Sequence, residues 1–170
     1  MDIRKANLGD AQKITEIAQV LYLDIPGFNW HQEDFIMKQI EKGEYYVAVS
    51  SDSAFVATSA KEVALAQEEQ VAGVMSLRER NGMLYIETLA VAKDIQAPHL
   101  RASGGQAKGV GSGLVEFAKQ FAKENNFKIL RTTSFYEYGV KDFYLKNGFR
   151  LLDEPGEYNG HKFHRLEFEV

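Results

Sequence analysis

A glycine-rich stretch at residues 106–113 carries the most distinctive chemistry of the sequence. It reads QAKGVGSG and leads directly into the clearest amphipathic helical pattern of the chain. Glycines let consecutive backbone amides turn toward one point, because no Cβ is in the way. A helix N-terminus adds unpaired N–H groups and a partial positive charge. The stretch therefore predicts a site for a phosphate or pyrophosphate group, the alternative being a flexible loop before a helix.

Two other phosphate-binding motifs fit this stretch less well. A dinucleotide fingerprint needs a third glycine where this chain has Leu114. A nucleotide P-loop needs Gly-Lys-Ser/Thr, and that triplet does not occur in the sequence. A nucleotide-binding α/β protein therefore stays only a weak alternative.

Other candidate chemistry is weaker still. His161 and His164 resemble a metal pair, but three residues apart on a strand they face opposite sides. Ser103 and Ser112 have no recognisable base arrangement for nucleophilic catalysis. The absence of cysteine excludes disulfides, thiolate zinc sites and a cysteine nucleophile. We therefore predict no metal site.

Composition favours one globular domain spanning residues 1–170. The chain is 45% hydrophobic and 26% charged, which is typical of a folded protein and not of a disordered one. Its net charge of −4 provides no general attraction for nucleic acid. The N-terminus lacks the apolar core of a secretory signal, and no apolar run approaches the ~20 residues of a membrane span. We expect a soluble, cytoplasmic protein that binds neither nucleic acid nor membrane.

The elements that must position this chemistry follow from hydrophobic periodicity and turn residues. The patterns predict a mixed α/β (α+β) sheet, largely antiparallel and flanked by helices. In chain order they predict a strand at Ile3-Arg4, a helix capped by Asn7, a helix over His31–Lys42, strands at Tyr45–Val49, Val71–Leu77 and Met83–Val91, a helix from Val110, a strand over Phe127–Thr133, a short helix over Val140–Asn147, and closing strands at Phe149–Leu152 and Lys162–Glu169. Asn81-Gly82 predicts a tight hairpin turn, and 51–69 is read as irregular.

Three segments together resemble the GNAT superfamily of acyl-CoA-dependent N-acetyltransferases. Gln106-x-x-Gly109-x-Gly111 is similar to the family's pyrophosphate loop. Ile86–Val91 resembles its central strand, and Phe143–Phe149 resembles its late helix-to-strand motif. The three occur in the family's order over nearly the whole chain, which makes the resemblance far more specific than the loop alone.

The resemblance implies acetyl-CoA as co-substrate and assigns most of the site. It implies that Tyr144 protonates the departing CoA thiolate, with a core aromatic residue as the alternative reading. The residues it implies for CoA binding are Leu89, Ala90 and Val91 along the pantetheine arm, Gln106, Ala107, Lys108, Gly109, Val110, Gly111 and Ser112 around the pyrophosphate, Val140 ahead of the late helix, and Lys146 toward the adenosine.

The chain also departs from the family at two places. Fourteen residues separate Val91 from Gln106, where the family usually has about five. Glu137 and Val140 stand where many members carry Asn and Ala.

Glu87 is the candidate proton acceptor. An alkylamine has a pKa near ~10.4, so it arrives protonated and must lose a proton before it attacks a thioester. Strand alternation predicts that Glu87, Leu89 and Val91 share one face of the sheet. The alternative is a cross-strand ion pair of Glu87 with Arg78 or Arg80.

The acceptor amine is expected between the two leading helices. Tyr22, Asp24, Phe28 and Trp30 could form an aromatic wall with an acid there, although ordinary helix packing explains them equally well. The preferred interpretation is an N-acetyltransferase that uses direct attack in a ternary complex. A homodimer is a common state for soluble enzymes. The alternative is a non-catalytic CoA-binding sensor or partner-binding module on the same fold.

Overall fold

The computed structural model describes residues 1–50, 70–92 and 109–170. In these ranges the strands are β1 (Asp2–Lys5), β2 (Tyr45–Ser50), β3 (Gln70–Arg80), β4 (Met83–Val91), β5 (Ile129–Phe135), β6 (Arg150–Leu151), β7 (Gly156–Tyr158) and β8 (His161–Glu169). The helices are α1 (Ala11–Ala18), α2 (Glu33–Glu41), α3 (Val110–Glu124) and α4 (Lys141–Lys146), with 3₁₀ turns at Leu8–Asp10, Gln19–Leu21 and Tyr136–Tyr138.

The strands form one mixed sheet in the order β1-β2-β3-β4-β5-β8-β6, and β7 pairs with β8. Only the β4–β5 pair is parallel among the described strands. The predicted fold class is therefore confirmed. The short strand β7 was not predicted, because a three-residue segment between two turns shows too little alternation to be recognised.

Turn residues end the elements where the sequence predicted. Asn81 and Gly82 both have positive φ, 53° and 74°, which is the backbone of a type I′ hairpin turn. Gly148 has φ 83° directly after α4, a conformation that glycine adopts at low cost. Asn7 caps the first turn, and its Oδ1 accepts from the Gly9 amide at 2.8 Å.

Helices cover both faces of the sheet, and each face has its own buried core. On the α3 face, Met75, Leu114 and Leu130 lie in a cluster that also includes Tyr144. On the α2 face, the cluster contains side chains of α1 and α2 packed against the strands, among them Ile14, Ile36, Tyr45, Val74 and Ala90. The two clusters hold β4 in the middle of the sheet, with one helix pair on each side.

Two broader features of the described part of the chain bear on function. None of its helices is both long and apolar enough to cross a membrane. Within residues 1–50, 70–92 and 109–170, no group of three or more His, Asp or Glu side chains is placed to hold a metal ion.

Candidate functional site

The pairing of β4 with β5 stops partway along both strands. Their register runs from Leu84–Leu130 to Ile86–Thr132, which is three residue pairs. β4 continues to Val91 and β5 to Phe135, and no further pair forms between these described strands. We call the point after Ile86 and Thr132 the fork. Beyond it, the edge of β4 at Leu89 and Ala90 is not paired with β5.

A β-bulge in β4 lies immediately past the fork. Ser76 pairs with Thr88 and the next residue of β3, Leu77, pairs with Ile86, so Glu87 is the extra residue. A bulge of this kind interrupts strict alternation. The side chains that follow Glu87 therefore do not face the directions that alternation from Ile86 predicts.

The prediction that Glu87, Leu89 and Val91 share one face is wrong, and the bulge is the reason. Leu89 packs against the core of the α3 face, and the Val91 side chain lies 3.6 Å from the Cβ position of Gly111 in α3. Glu87 instead turns to the α2 face, as does Thr88, whose hydroxyl lies 3.4 Å from that of Tyr45. The Glu87 carboxylate and the side chains of Leu89 and Val91 are therefore on opposite faces of β4, with the strand edge between them.

Glu87 is held by two arginines of β3. Its side chain is only 8% exposed, and its carboxylate lies 3.1 Å from Arg78 Nη1 and in ion-pair contact with Arg80. Burial raises the pKa of Glu87, while Arg78 and Arg80 oppose the rise. The cross-strand ion pair, stated above as the alternative for this residue, is thus present in the structure.

Arg78 is itself fixed by groups from two other elements. Its guanidinium lies 2.8 Å from the Glu44 carboxylate and hydrogen-bonds to the Gln39 side chain of α2. These partners anchor Arg78, whereas Arg80, at 49% side-chain exposure, has only Glu87 and the ring of Tyr85 as described partners. One arginine of the pair is therefore fixed and the other is able to exchange partners.

Tyr144 lies at the fork from the opposite face. Its side chain is 6% exposed and packs between Phe143 and Phe149. Thr132, which opposes the effect of burial on the Tyr144 pKa, donates its hydroxyl hydrogen to the Ile86 carbonyl at 3.0 Å. Burial raises the pKa of Tyr144, with Thr132 opposing, so the phenol stays protonated at neutral pH.

The start of α3 leaves backbone donors without acceptors. Gly109 precedes the helix with no side-chain cap, and the first helical hydrogen bond runs from the Gly113 amide to the Gly109 carbonyl at 3.0 Å. The amides of Val110, Gly111 and Ser112 have no acceptor among the described residues. An anion fits such a helix end, which also has no acidic residue in its first turn.

The glycines at this helix end have different environments. A Cβ on Gly109 would meet no described atom within 4 Å. A Cβ on Gly111 would lie 3.3 Å from the Phe143 ring, and one on Gly113 would overlap the Met1 side chain. Gly111 and Gly113 therefore also allow close packing. Gln106, Ala107 and Lys108 lie outside the described residues.

The late motif presents its remaining candidates at the surface. Val140 precedes α4 and is 38% exposed, and Lys146 is exposed near the end of the same helix. Glu137 accepts a contact of 2.6 Å from Nδ1 of His161, and this partner lowers the pKa of Glu137. His164 instead stacks on Tyr136 at a centroid distance of 4.1 Å. The two histidines thus engage different partners.

The predicted acceptor residues divide into two pairs. Phe28 and Trp30 pack together at a centroid distance of 4.5 Å, and Phe28 meets Phe135 of β5 edge-on at 5.5 Å. Tyr22 and Asp24 lie exposed, with the Tyr22 hydroxyl 3.5 Å from the carboxylate. The structure therefore forms the aromatic wall but leaves its acid at the surface.

Sequence reasoning missed half of this wall. Phe135 also meets Phe163 of β8 at 5.6 Å, and Trp30 meets Phe35 of α2 at 5.9 Å. The Tyr138 hydroxyl donates to the Leu21 carbonyl at 2.6 Å, which ties the loop carrying Phe28 to the end of β5. No local pattern links positions more than 100 residues apart. The only sequence feature that could have indicated these contacts is the presence of Phe135 at the end of β5 and Phe163 near the start of β8.

Comparisons with known proteins identify the family and the fold. The family model for the GNAT acetyltransferase domain matches residues 29–170. The fold is similar to that of a PaiA N-acetyltransferase from Thermoplasma acidophilum in complex with coenzyme A, at 15% identity, covering 99% of this chain and 98% of that chain, with a TM-score of 0.67.

Two further solved structures share the fold. Ard1 from Thermoplasma volcanium is 16% identical, covers 99% of this chain and 97% of its own, and has a TM-score of 0.69. A Bacillus subtilis acetyltransferase in complex with CoA is 20% identical, and the match covers 99% of this chain and 97% of that chain, with a TM-score of 0.60. No curated protein sequence matches the chain. The chain belongs to the GNAT acetyltransferase family.

Proposed function

We propose that the protein transfers an acetyl group from acetyl-CoA to a primary amine, which attacks the thioester directly in a ternary complex. The observation that carries this proposal is the fork, with its β4 edge at Leu89 and Ala90 that β5 does not pair. At one end of this edge Val91 lies beside Gly111 at the start of α3, and at the other end Thr132, a neighbour of the buried Tyr144, donates to the Ile86 carbonyl. No other part of the described chain combines an anion site with a proton donor in this way.

The described residues fit acetyl-CoA as a co-substrate. The pyrophosphate would accept from the amides of Val110, Gly111 and Ser112, which have no acceptor among the described residues. The pantetheine amides would pair with the edge of β4 as an added strand does. Bound in this way, acetyl-CoA supplies an activated acyl group. We propose that Gln106, Ala107 and Lys108 extend the loop, and that Val140 and Lys146 contact the same co-substrate.

The side chains at the fork then have separate roles. Tyr144 holds a proton at its hydroxyl for the sulfur that leaves when the C–S bond breaks. Because a thiol has a pKa of about 8.5 and leaves readily, this proton assists the step without being indispensable. Glu87, on the opposite face, accepts a hydrogen bond from the incoming ammonium and passes its proton to water.

A thiol-release assay tests the proposed function. The protein is mixed with acetyl-CoA and a panel of amines, and CoA release is followed together with the mass of each amine. CoA release that requires an amine, together with an amine product heavier by one acetyl group, supports the proposed acetyltransferase activity. Binding of CoA without release for any amine would instead favour a non-catalytic CoA-binding module.

A further inference from the structure

Glu87 sits between an arginine and an aromatic wall along the α2 face. Arg80 pairs with Met83 beside the hairpin turn, and its guanidinium reaches back along the strand to Glu87. On the other side, Phe135 lies three residues beyond Thr132 in β5, which is about 10 Å past the fork. The aromatic wall and the exposed guanidinium are therefore on opposite sides of the carboxylate.

Contacts of helix α2 independently place Arg78 and the aromatic wall at different points along this face. Gln39 contacts Arg78, and Phe35, one helical turn earlier, contacts Trp30 at 5.9 Å. Trp30 in turn packs on Phe28, which meets Phe135. Going from the hairpin toward the end of β5, the face presents a guanidinium, a carboxylate and then aromatic rings.

The charged groups at the Glu87 site are two carboxylates and three basic side chains, the third of which is Lys42. Glu87 and Glu44 face the guanidinium groups of Arg78 and Arg80. Arg78 is fixed by three partners, so a simple amine that binds Glu87 must displace Arg80. The guanidinium of Arg80 then loses its carboxylate partner. An acceptor that carries its own carboxylate next to the amine restores that pair. A zwitterion can thus replace one internal ion pair with two intermolecular ones.

We propose that the acceptor is a free α-amino acid with an apolar or aromatic side chain. Its ammonium group binds Glu87, its carboxylate binds Arg80, and its side chain lies against Phe28, Trp30 and Phe135. The Trp30 Nε1, which is buried without a partner among the described residues, lies on the same wall. This inference rests on the proposed function and makes Arg80 the residue that determines specificity for the carboxylate.

Steady-state kinetics with three related acceptors test the proposal. L-Phenylalanine carries the amine, carboxylate and ring, L-phenylalaninamide lacks the carboxylate charge, and phenethylamine lacks the carboxylate altogether. The wild-type kcat/KM should be at least about tenfold higher for L-phenylalanine than for phenethylamine, because a bidentate guanidinium–carboxylate pair is lost with the latter. The kcat/KM for L-phenylalaninamide should be similar to that for phenethylamine.

Variants of Arg80 connect this preference to the residue. Arg80→Gln should remove the advantage of L-phenylalanine by raising its KM, while kcat/KM for phenethylamine does not fall. Arg80→Lys should restore part of the advantage, because lysine keeps the positive charge but lacks the planar guanidinium that binds a carboxylate with two hydrogen bonds. Arg150→Gln removes another exposed, ion-paired arginine, on β6, and should leave all three acceptors unchanged.

The outcomes separate the two proposals. Acetylation of phenethylamine or of a polyamine such as spermidine, without preference for L-phenylalanine, would overturn the amino-acid assignment and leave the acetyltransferase standing. An equal loss for all three acceptors in Arg80→Gln would also overturn it. CoA release with none of the amines, although CoA binds, would overturn both.

Discussion

Thr132 Oγ1 in β5 donates a 3.0 Å hydrogen bond to the Ile86 carbonyl in β4, across the last pair that the two strands form. The side chain thereby satisfies a buried carbonyl at the point where the β4–β5 ladder ends. An open strand edge beside a buried core would otherwise leave polar groups without partners, which costs free energy. The fork is thus stabilised by a specific side chain, and Thr132 is also a neighbour that influences the pKa of the buried Tyr144.

Tyr144→Phe should lower kcat by about 10-fold to 100-fold. A positioned general acid typically contributes about 100-fold or more, and the loss should be at or below that figure because a thiolate leaves readily. The Kd for acetyl-CoA, measured by calorimetry, should change little. Tyr46→Phe is the matched control, because Tyr46 is also a buried tyrosine of the α3 face but packs on Phe117 and Phe121. Unchanged kcat across the full pH range in Tyr144→Phe would remove the acid role.

Gly109→Val should abolish CoA binding with little change in Tm. Its Cβ meets no described atom within 4 Å, so the new side chain should clash with the bound pyrophosphate rather than with the described core. Gly111→Val should lower both CoA affinity and Tm, because its Cβ would already lie 3.3 Å from Phe143. Thermal shift with and without CoA distinguishes the two. Retained affinity in Gly109→Val would contradict the assignment of the loop.

Glu87→Gln should reduce kcat/KM for an alkylamine by about 100-fold, the usual contribution of a general base. For an acceptor whose ammonium pKa lies near the assay pH, kcat/KM should decrease less, because much of this acceptor arrives as the neutral amine. Glu79→Gln, an exposed glutamate on the neighbouring strand β3, serves as the control.

Burial raises the pKa of Glu87, so its carboxylate should become protonated above the usual range as the pH falls. The acid limb of the wild-type kcat/KM profile, measured with an amine of low pKa, should therefore include a step that is missing in Glu87→Gln. Identical profiles for the two proteins would show that Glu87 does not take part in proton removal.

Asp10→Asn should destabilise the fold by about 1–2 kcal/mol at neutral pH, because charged hydrogen bonds are lost. Asp10 accepts from Arg4 at 2.9 and 3.0 Å and from the Asn7 amide at 2.8 Å, and the hydrogen bond from Arg4 is the main reason that its pKa is lowered.

The pH dependence of this effect has a defined sign. A lowered pKa stabilises the fold above the ordinary pKa of aspartate and loses that contribution as the pH falls through the folded value. Urea unfolding should therefore show a difference between wild type and Asp10→Asn that is full at pH 7 and shrinks below about pH 4. Asp153→Asn, at an exposed position, should show no such difference. A difference that persists unchanged at low pH would contradict the ionic origin.

Local patterns were sufficient for most of the fold. The spacing of Ile14, Ile17 and Ala18 predicted α1, and Asn81-Gly82 predicted its turn type, because each depends on residues within one or two turns of chain. Strand β5 is displaced at both ends, predicted over Phe127–Thr133 and found at Ile129–Phe135. Its end is defined by pairing with β8, which no local pattern specifies.

The sequence by itself determined which groups are available: a glycine-rich helix start, a tyrosine in the late helix, a glutamate in the central strand and aromatic residues ahead of α2. Only the tertiary structure decided which of them face one another. The bulge turned Glu87 away from Leu89 and onto Arg78, and packing across more than 100 residues brought Phe28 to Phe135. Side-chain chemistry and local periodicity are properties of a few neighbouring residues. Strand register and long-range contacts depend on how the whole chain buries its apolar surface.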